Sequence, residues 1–492
     1  MEKSLKSRTI SGLFWRFGEK LLTQGVSFIV SIILARRLFP EDYALIALVS
    51  VFLSICNEFI TSGFPAALIQ KKEAEEVDFS TIFFFSLGVS ICIYILLFLC
   101  APVLAKFYSK YDSELLINVI RVMGLKLIIT AVNSVQHAYV SRTLQFKRYF
   151  WSSFAGTAIS AIIGIWMAYM GYGVWALVLQ FLVDGFIDMT VLWFTVRWRP
   201  KLLFSRKSLG DAWAYGKKLF ATSFIATVYN NLCGLTIGRF YKPENLAYYE
   251  KGHSIPSVAS STINSTVDSV LFPTMSKKQT DKTVIKEMLS LSIRCGSYIV
   301  MPILFGLAAT SESIIEILLT EKWLPSVFYM QIFCFSFAFS LVEIESLQTI
   351  KALGRSDIVL KLEIVKKIIG LGLIILAIPF GVEMIALSVL INSIIFALLN
   401  LYPNRVLIGY SFKDLWNDFS SPLILSSIMF FMVSAMKYIP LNMYITLILQ
   451  IITGTVIYIT LSVIFKVKAF LYLCQEVKSF IKRLKGRKSD ES

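Results

Sequence analysis

The chain has 492 residues, 56% of them hydrophobic and 16% charged, with a mean hydropathy of +0.69. Soluble domains carry roughly 25% charged residues, so this composition cannot cover a water-facing surface and excludes an ordinary soluble protein. A net charge of +16 would suit nucleic acid, but the basic residues follow membrane topology, which removes that partner class.

The N-terminal stretch MEKSLKSRTISGLFWRFGEK starts basic, lacks a small-residue cleavage site and runs on too long for a signal peptide, so an uncleaved first span is expected. Apolar runs bounded by Pro, Gly and charge clusters then give about fourteen spans, since about 20 apolar residues cross a hydrocarbon core. They lie near 12–34, 44–69, 79–101, 114–140, 149–170, 173–196, 212–237, 249–272, 288–308, 326–350, 358–380, 383–402, 419–437 and 442–465. After the last span, Phe470, Leu473, Cys474, Val477, Phe480, Ile481 and Leu484 keep helical spacing beside Lys478, Lys482 and Lys485. That pattern suits an amphipathic helix on an anionic leaflet, with a solvated tail as the alternative. Seven cysteines are scattered without a C-x-x-C pair, which argues for small packing residues and against a disulfide framework or a zinc site.

With the N-terminus cytoplasmic, 30 of the 48 Lys and Arg residues fall in loops and tail on that side and 8 on the other. The positive-inside rule therefore puts both termini in the cytoplasm. The strings LARRLFPEDYA at 34–44 and GRFYKPENLA at 238–247 repeat one pattern: Arg36, Pro40, Glu41 and Ala44 match Arg239, Pro243, Glu244 and Ala247 at a constant offset of 203. The motif follows span 1 and then span 7, so both copies enter the membrane in one direction, a parallel repeat. Pro with Glu in a first turn suits a helix start. The expected fold is an all-α membrane protein of about 14 transmembrane helices. Two pseudo-symmetric six-helix lobes, 1–205 and 206–410, are followed by two further helices at 411–466 and a basic amphipathic tail at 467–492.

Ten basic residues remain outside the loops, and a charge at bilayer centre costs about 2.5–3.5 kcal/mol. Arg16, Lys20, Arg121, Lys126, Lys217, Lys218 and Arg294 are the candidates for lining a substrate path. Lys251, Lys366 and Lys367 lie within a turn of an interface and read as snorkelling or helix-end charges. Polar stripes mark several spans: Gln24, Ser27 and Ser31 beyond Lys20; Ser50, Ser54, Asn57, Glu58 and Thr61; Lys126, Thr130, Asn133, His137 and Ser141; and His253, Ser257, Ser261, Asn264 and Asp268. A polar stripe on an apolar span faces protein or water, and two lobes lining one hydrated cleft accommodate all of them. Both histidines read as polar helix–helix contacts, because neither has a Cys or carboxylate at metal-ligand spacing.

Residues 8 to about 410 resemble the Wzx-type polysaccharide transporter flippases of the multidrug/oligosaccharidyl-lipid/polysaccharide exporter superfamily. The likeness is carried by LARRLFPEDYALIAL, GFPAALIQKKEAEEVDFST and YVSRTLQFKR; Ala44 departs from the pattern, where glycine is expected at a turn. The resemblance implies translocation of an undecaprenyl-diphosphate-linked oligosaccharide across a bacterial inner membrane for O-antigen, capsule or exopolysaccharide assembly. Its partners would be membrane lipids and other polysaccharide-assembly membrane proteins. No cofactor is implied beyond proton or sodium coupling, for which Glu58, Glu250, Asp268 and Glu343 are candidate carboxylates. The nearest rival is a cation-coupled drug antiporter of the same fold, which would want a carboxylate-dominated cleft. An enzyme of polyprenyl-linked sugar transfer would want a sizeable outer loop with acidic ligands, and the longest loops hold about twenty residues.

Overall fold

In the computed structural model, residues 2–489 are described except 72, 280 and 441; the side chains of 2–11, 13, 14, 262–270, 272, 273, 477 and 480–489 lie outside the description. The chain forms helices throughout, with no strand among the described residues, and divides into two compact units, Met1–Ala247 and Tyr248–Ser492.

The first unit runs α1 (Glu2–Arg37), α2 (Pro40–Thr61), α3 (Phe64–Gln70), α4 (Glu76–Phe107), α5 (Ser113–Arg142), α6 (Phe146–Tyr169), α7 (Val174–Thr195), α8 (Arg206–Asn230) and α9 (Leu232–Phe240). α10 (Pro243–Lys277) leads into the second, which continues with α11 (Lys282–Ala309), α12 (Ser311–Leu319), α13 (Ser326–Ala352), α14 (Ser356–Ala377), α15 (Val382–Ile408), α16 (Phe412–Ala435), α17 (Met443–Ile464) and α18 (Lys468–Ser489). Helix starts follow local chemistry. α2 opens on Pro40 and α10 on Pro243, where a missing N–H costs nothing. Asp42 Oδ2 accepts from the Phe39 N–H at 3.1 Å, and Asp112 Oδ1 accepts from Leu115 N–H at 2.9 Å at the head of α5. Ser411 and Asp414 form a reciprocal cap on α16.

Among the described residues, eleven helical stretches are long and apolar enough to cross a membrane. The expected spans 212–237, 249–272 and 358–380 are helical but fall outside those eleven, so the expectation of fourteen exceeds what length and apolarity alone support. On α14 the reason is charge, from Lys361, Glu363, Lys366 and Lys367; α8 carries Lys217 and Lys218 and stops at Asn230, and α10 is rich in Ser, Thr and Asn as well as carrying Glu250 and Lys251.

The expected span 44–69 lies within one membrane-length stretch, Pro40–Gln70, whose helix kinks at Gly63. Its φ of +95° is a conformation L side chains avoid, and an added Cβ would come within 2.6 Å of the Gly216 carbonyl oxygen. That close approach seats α3 against α8, which also packs on α2 and α4. Below it lies an apolar cluster built from Phe64, Leu68, Phe79, Phe83, Val135, Leu192 and Trp198. Two of the sequence strings meet there. Arg142 donates to the carbonyls of Leu68 at 2.8 Å, of Ile69 at 3.3 Å and of Lys71, satisfying the C-terminal end of α3. Asp78, almost fully buried, accepts from Lys71 at 2.7 Å and from Ser208 at 2.6 Å. In the second unit α11 packs on α13 and α16, α13 on α15, and α16 on α17.

Candidate functional site

α2 and α5 each present residues at helical i, i+3, i+4, i+7 spacing, so each quartet shares one face. Ser50, Leu53, Ser54 and Asn57 of α2 meet Met123, Lys126, Leu127 and Thr130 of α5 around a cavity of about 190 Å³ closed by Phe181 of α7. Two of the expected polar stripes thus line one space. The Lys126 ammonium stands 4.8 Å from the Phe181 ring centroid, a favourable cation–π placement. Among the described residues it has no hydrogen-bonded or ion-paired carboxylate, although Asp184 on α7 acts on it electrostatically.

Behind the cavity the acids of α7 are held from neighbouring helices. Thr157 donates to Asp184 Oδ1 at 3.3 Å, and a Cβ on Gly156 would come within 2.7 Å of the Asp184 carbonyl oxygen, so α6 and α7 run close together. Asp188 Oδ2 accepts from the Asn133 amide and lies 2.9 Å from His137 Nε2. The ring of His137 sits edge-on to Tyr149 at 4.5 Å, and the Arg16 guanidinium lies 3.9 Å from the Tyr149 centroid. His137 is therefore a polar helix–helix contact with a carboxylate partner that spacing alone does not reveal. Arg16 also lies 3.6 Å from Glu19, half exposed, and Lys20 is exposed.

Other candidates are placed apart from that cavity. Arg121 stacks on Phe98 of α4 at 4.2 Å, with its buried Nε lacking a hydrogen-bond partner among the described residues. Five residues turn a helix by about 140°, which takes Arg121 off the Lys126 face. Lys217 and Lys218 are exposed on α8. Glu58 accepts from Thr227 of α8 at 2.7 Å and from Ser62.

In the second unit Arg294 is committed to a partner. Its Nε and Nη2 donate to Asp418 Oδ1 at 2.8 Å and 2.6 Å, while Asp418 Oδ2 accepts from Ser290 at 2.5 Å and Tyr410 at 3.0 Å. Asp418 is 2% exposed. Glu343 pairs with Lys366 at 2.9 Å, and Lys366 also reaches Glu363 at 2.5 Å. Lys366 is 4% exposed, so it is a buried ion-pair member and not a snorkelling lysine; its partners lie on α13 and one turn away on α14. Glu250 is half-buried on α10, His253 packs on Phe333 at 4.8 Å, and Asp268 lies outside the described residues.

The repeated motif works at helix ends. Arg36 is exposed at the end of α1, Pro40 is buried at the head of α2 and Glu41 is exposed. In the other copy Arg239 stacks on Phe107 at 4.6 Å, Pro243 begins α10 and Glu244 is half-buried. Burial pushes the neighbouring Tyr108 hydroxyl up to about 12, with Arg239 acting in the opposite direction. Among the described residues no three His, Cys, Asp or Glu side chains gather as a metal site.

Residues 33–328 match the model of a family described as polysaccharide biosynthesis protein. The chain is similar to the succinoglycan biosynthesis transport protein ExoT of Rhizobium meliloti, 22% identical over 66% of this chain and 65% of that protein. It is also similar to the teichuronic acid biosynthesis protein TuaB of Bacillus subtilis, 26% identical over 54% of this chain and 55% of that one. It thus spans about two thirds of the first relative's length and about half of the second's. Among solved structures, the lipid II flippase MurJ in an inward closed conformation shares the fold, with a TM-score of 0.74 at 16% identity, covering 93% of this chain and 98% of MurJ.

Proposed function

The chain belongs to the polysaccharide biosynthesis protein family, and we propose that it is a flippase for a lipid-linked saccharide in surface polysaccharide assembly. Its substrate on this reading is an undecaprenyl-diphosphate-linked oligosaccharide, carried from the cytoplasmic to the outer leaflet of a bacterial inner membrane. The observation that carries it is the Lys126 cavity, which sets a cation, an amide and three hydroxyls among apolar side chains inside helices apolar enough to span a bilayer. A lipid-linked saccharide needs such a provision, because its sugars and diphosphate must stay solvated while the polyprenyl tail remains in hydrocarbon. Arg16 and Lys20 offer charge-assisted hydrogen bonds for the diphosphate.

The same proposal includes fourteen spans in two six-helix lobes plus two helices, both termini in the cytoplasm, and movement by alternating access. Coupling to proton or sodium would fall to Glu58, Glu250, Asp268 or Glu343. The relative named for succinoglycan biosynthesis transport supports a transporter over an enzyme. Deletion of the gene is expected to remove a surface polysaccharide and to leave its lipid-linked precursor on the cytoplasmic leaflet, read by precursor extraction and leaflet-selective labelling. Normal polysaccharide with a new sensitivity to drugs would instead identify an antiporter, and sugar transfer by the purified protein an enzyme.

A further inference from the structure

The wall of the Lys126 cavity sets an unsatisfied acceptor beside a cation that has no bonded carboxylate. Asn57 Oδ1 is buried without a hydrogen-bond partner among the described residues, and an orphaned buried amide oxygen costs about 1–3 kcal/mol. The Lys126 ammonium carries up to three donors and spends none on a carboxylate. A simple anion would satisfy the lysine and leave the amide oxygen bare; a cation would do the reverse. A polyhydroxyl compound, which donates and accepts from the same groups, answers both.

Asp184 acts on Lys126 without bonding to it, so the ammonium donors stay available to hydroxyls. The size of the cavity agrees with a small polyol. The volume of about 190 Å³ is that of about six waters at roughly 30 Å³ each, the space of one sugar ring. The hydroxyls of Ser50 and Thr130 can turn to donate or accept, and Phe181 supplies an aromatic ring beside them.

We infer that this cavity is a sugar subsite, taking one neutral pyranose ring of the lipid-linked oligosaccharide through Asn57, Lys126 and Thr130. This rests on the flippase reading and adds a specificity pocket separate from the diphosphate contacts. Lys126 then recognises hydroxyls, and the pocket discriminates between glycans because leaving its polar groups unpaired penalises a ligand that lacks the matching hydroxyl.

The test uses the full chain in detergent and native mass spectrometry. The probes are undecaprenyl diphosphate alone and the same lipid carrying glucose, galactose or N-acetylglucosamine. At least one sugar-bearing lipid should bind about tenfold more tightly than the bare lipid, and Asn57→Leu and Thr130→Val should each bring that ratio toward one; where Asn57→Leu does not fold, Thr130→Val decides. A ratio near one in the unaltered protein, or a ratio untouched by the substitutions, overturns the subsite. If deletion cells nevertheless accumulate precursor, the flippase reading stands without it. If they export normally, that reading falls, whatever the ratio.

Discussion

Lys126 and Arg294 present the same puzzle in the sequence, a lone basic residue within an apolar run, and the structure resolves them in opposite ways. Arg294 is closed: two of its nitrogens reach Asp418 at 2.6–2.8 Å, and that carboxylate is further held by Ser290 and Tyr410. Lys126 is open: it faces a cavity and an aromatic ring, with Asp184 near but not bonded. A buried charge therefore announces that something compensates it, without saying whether the compensation is a permanent partner or a space kept for a ligand. Closed pairs hold helices together, here α11 to α16; open charges are where binding energy is available.

The contrast predicts that damage to the two sites will show in different measurements. Asp418→Ala should have the largest effect, stripping the half-buried Arg294 of its carboxylate and leaving Ser290 and Tyr410 without their acceptor, at a cost of about 3 kcal/mol. Protein abundance and the detergent melting temperature should both fall sharply, and Asp418→Leu combined with Arg294→Met should restore much of the loss. If Asp418→Ala melts like the unaltered protein, the pair is not the structural tie described. Lys126→Met should behave in the opposite manner. It removes a charge that has no bonded partner, so melting should hold or rise slightly, while polysaccharide export drops by about tenfold or more, equivalent to roughly 1.4 kcal/mol. Normal export from Lys126→Met would close the supposed open site.

Much of this was legible in the residues. The positions of most helices follow from apolar length, and the Pro-Glu repeat marks the heads of α2 and α10. The stripes of α2 and α5 could be read as polar faces because helical spacing is a local property. What local spacing cannot show is which face meets which. Asp418 lies 124 positions from Arg294, and Asp188 lies 51 from His137, so each charge was visible and its partner was not. The roles of Arg142 and Asp78 were likewise hidden inside strings that carried the family likeness: both tie backbone and loop ends around α3. Nothing in residues 206–230 signals that α8 lies beside α3, where two glycines, Gly63 and Gly216, meet backbone to backbone.

A smaller effect tests how the open site is kept open. Gly156 lets α6 approach the backbone of α7 at Asp184, and a Cβ there would meet the carbonyl oxygen at 2.7 Å. Gly156→Ala should push α7 aside, costing about 1–3 kcal/mol in melting. Export should fall with it because Asp184 and Phe181 ride on the same helix as the cavity wall. Stability loss with unchanged export would mean that the position of α7 does not matter to the cavity.

The smallest expected change separates charge from packing at the edge of the same region. Arg16 is half exposed, its pair with Glu19 at 3.6 Å is a surface ion pair worth little, and its stacking on Tyr149 adds about 0.5–1 kcal/mol at most. Arg16→Ala should therefore shift melting hardly at all, while Arg16→Lys keeps the charge and loses the planar stacking. If Arg16 contacts a diphosphate, alanine should reduce export severalfold and lysine should recover part of it. If it only covers Tyr149, both substitutions should export equally well, and the charge would belong with Arg294 among groups that serve the fold.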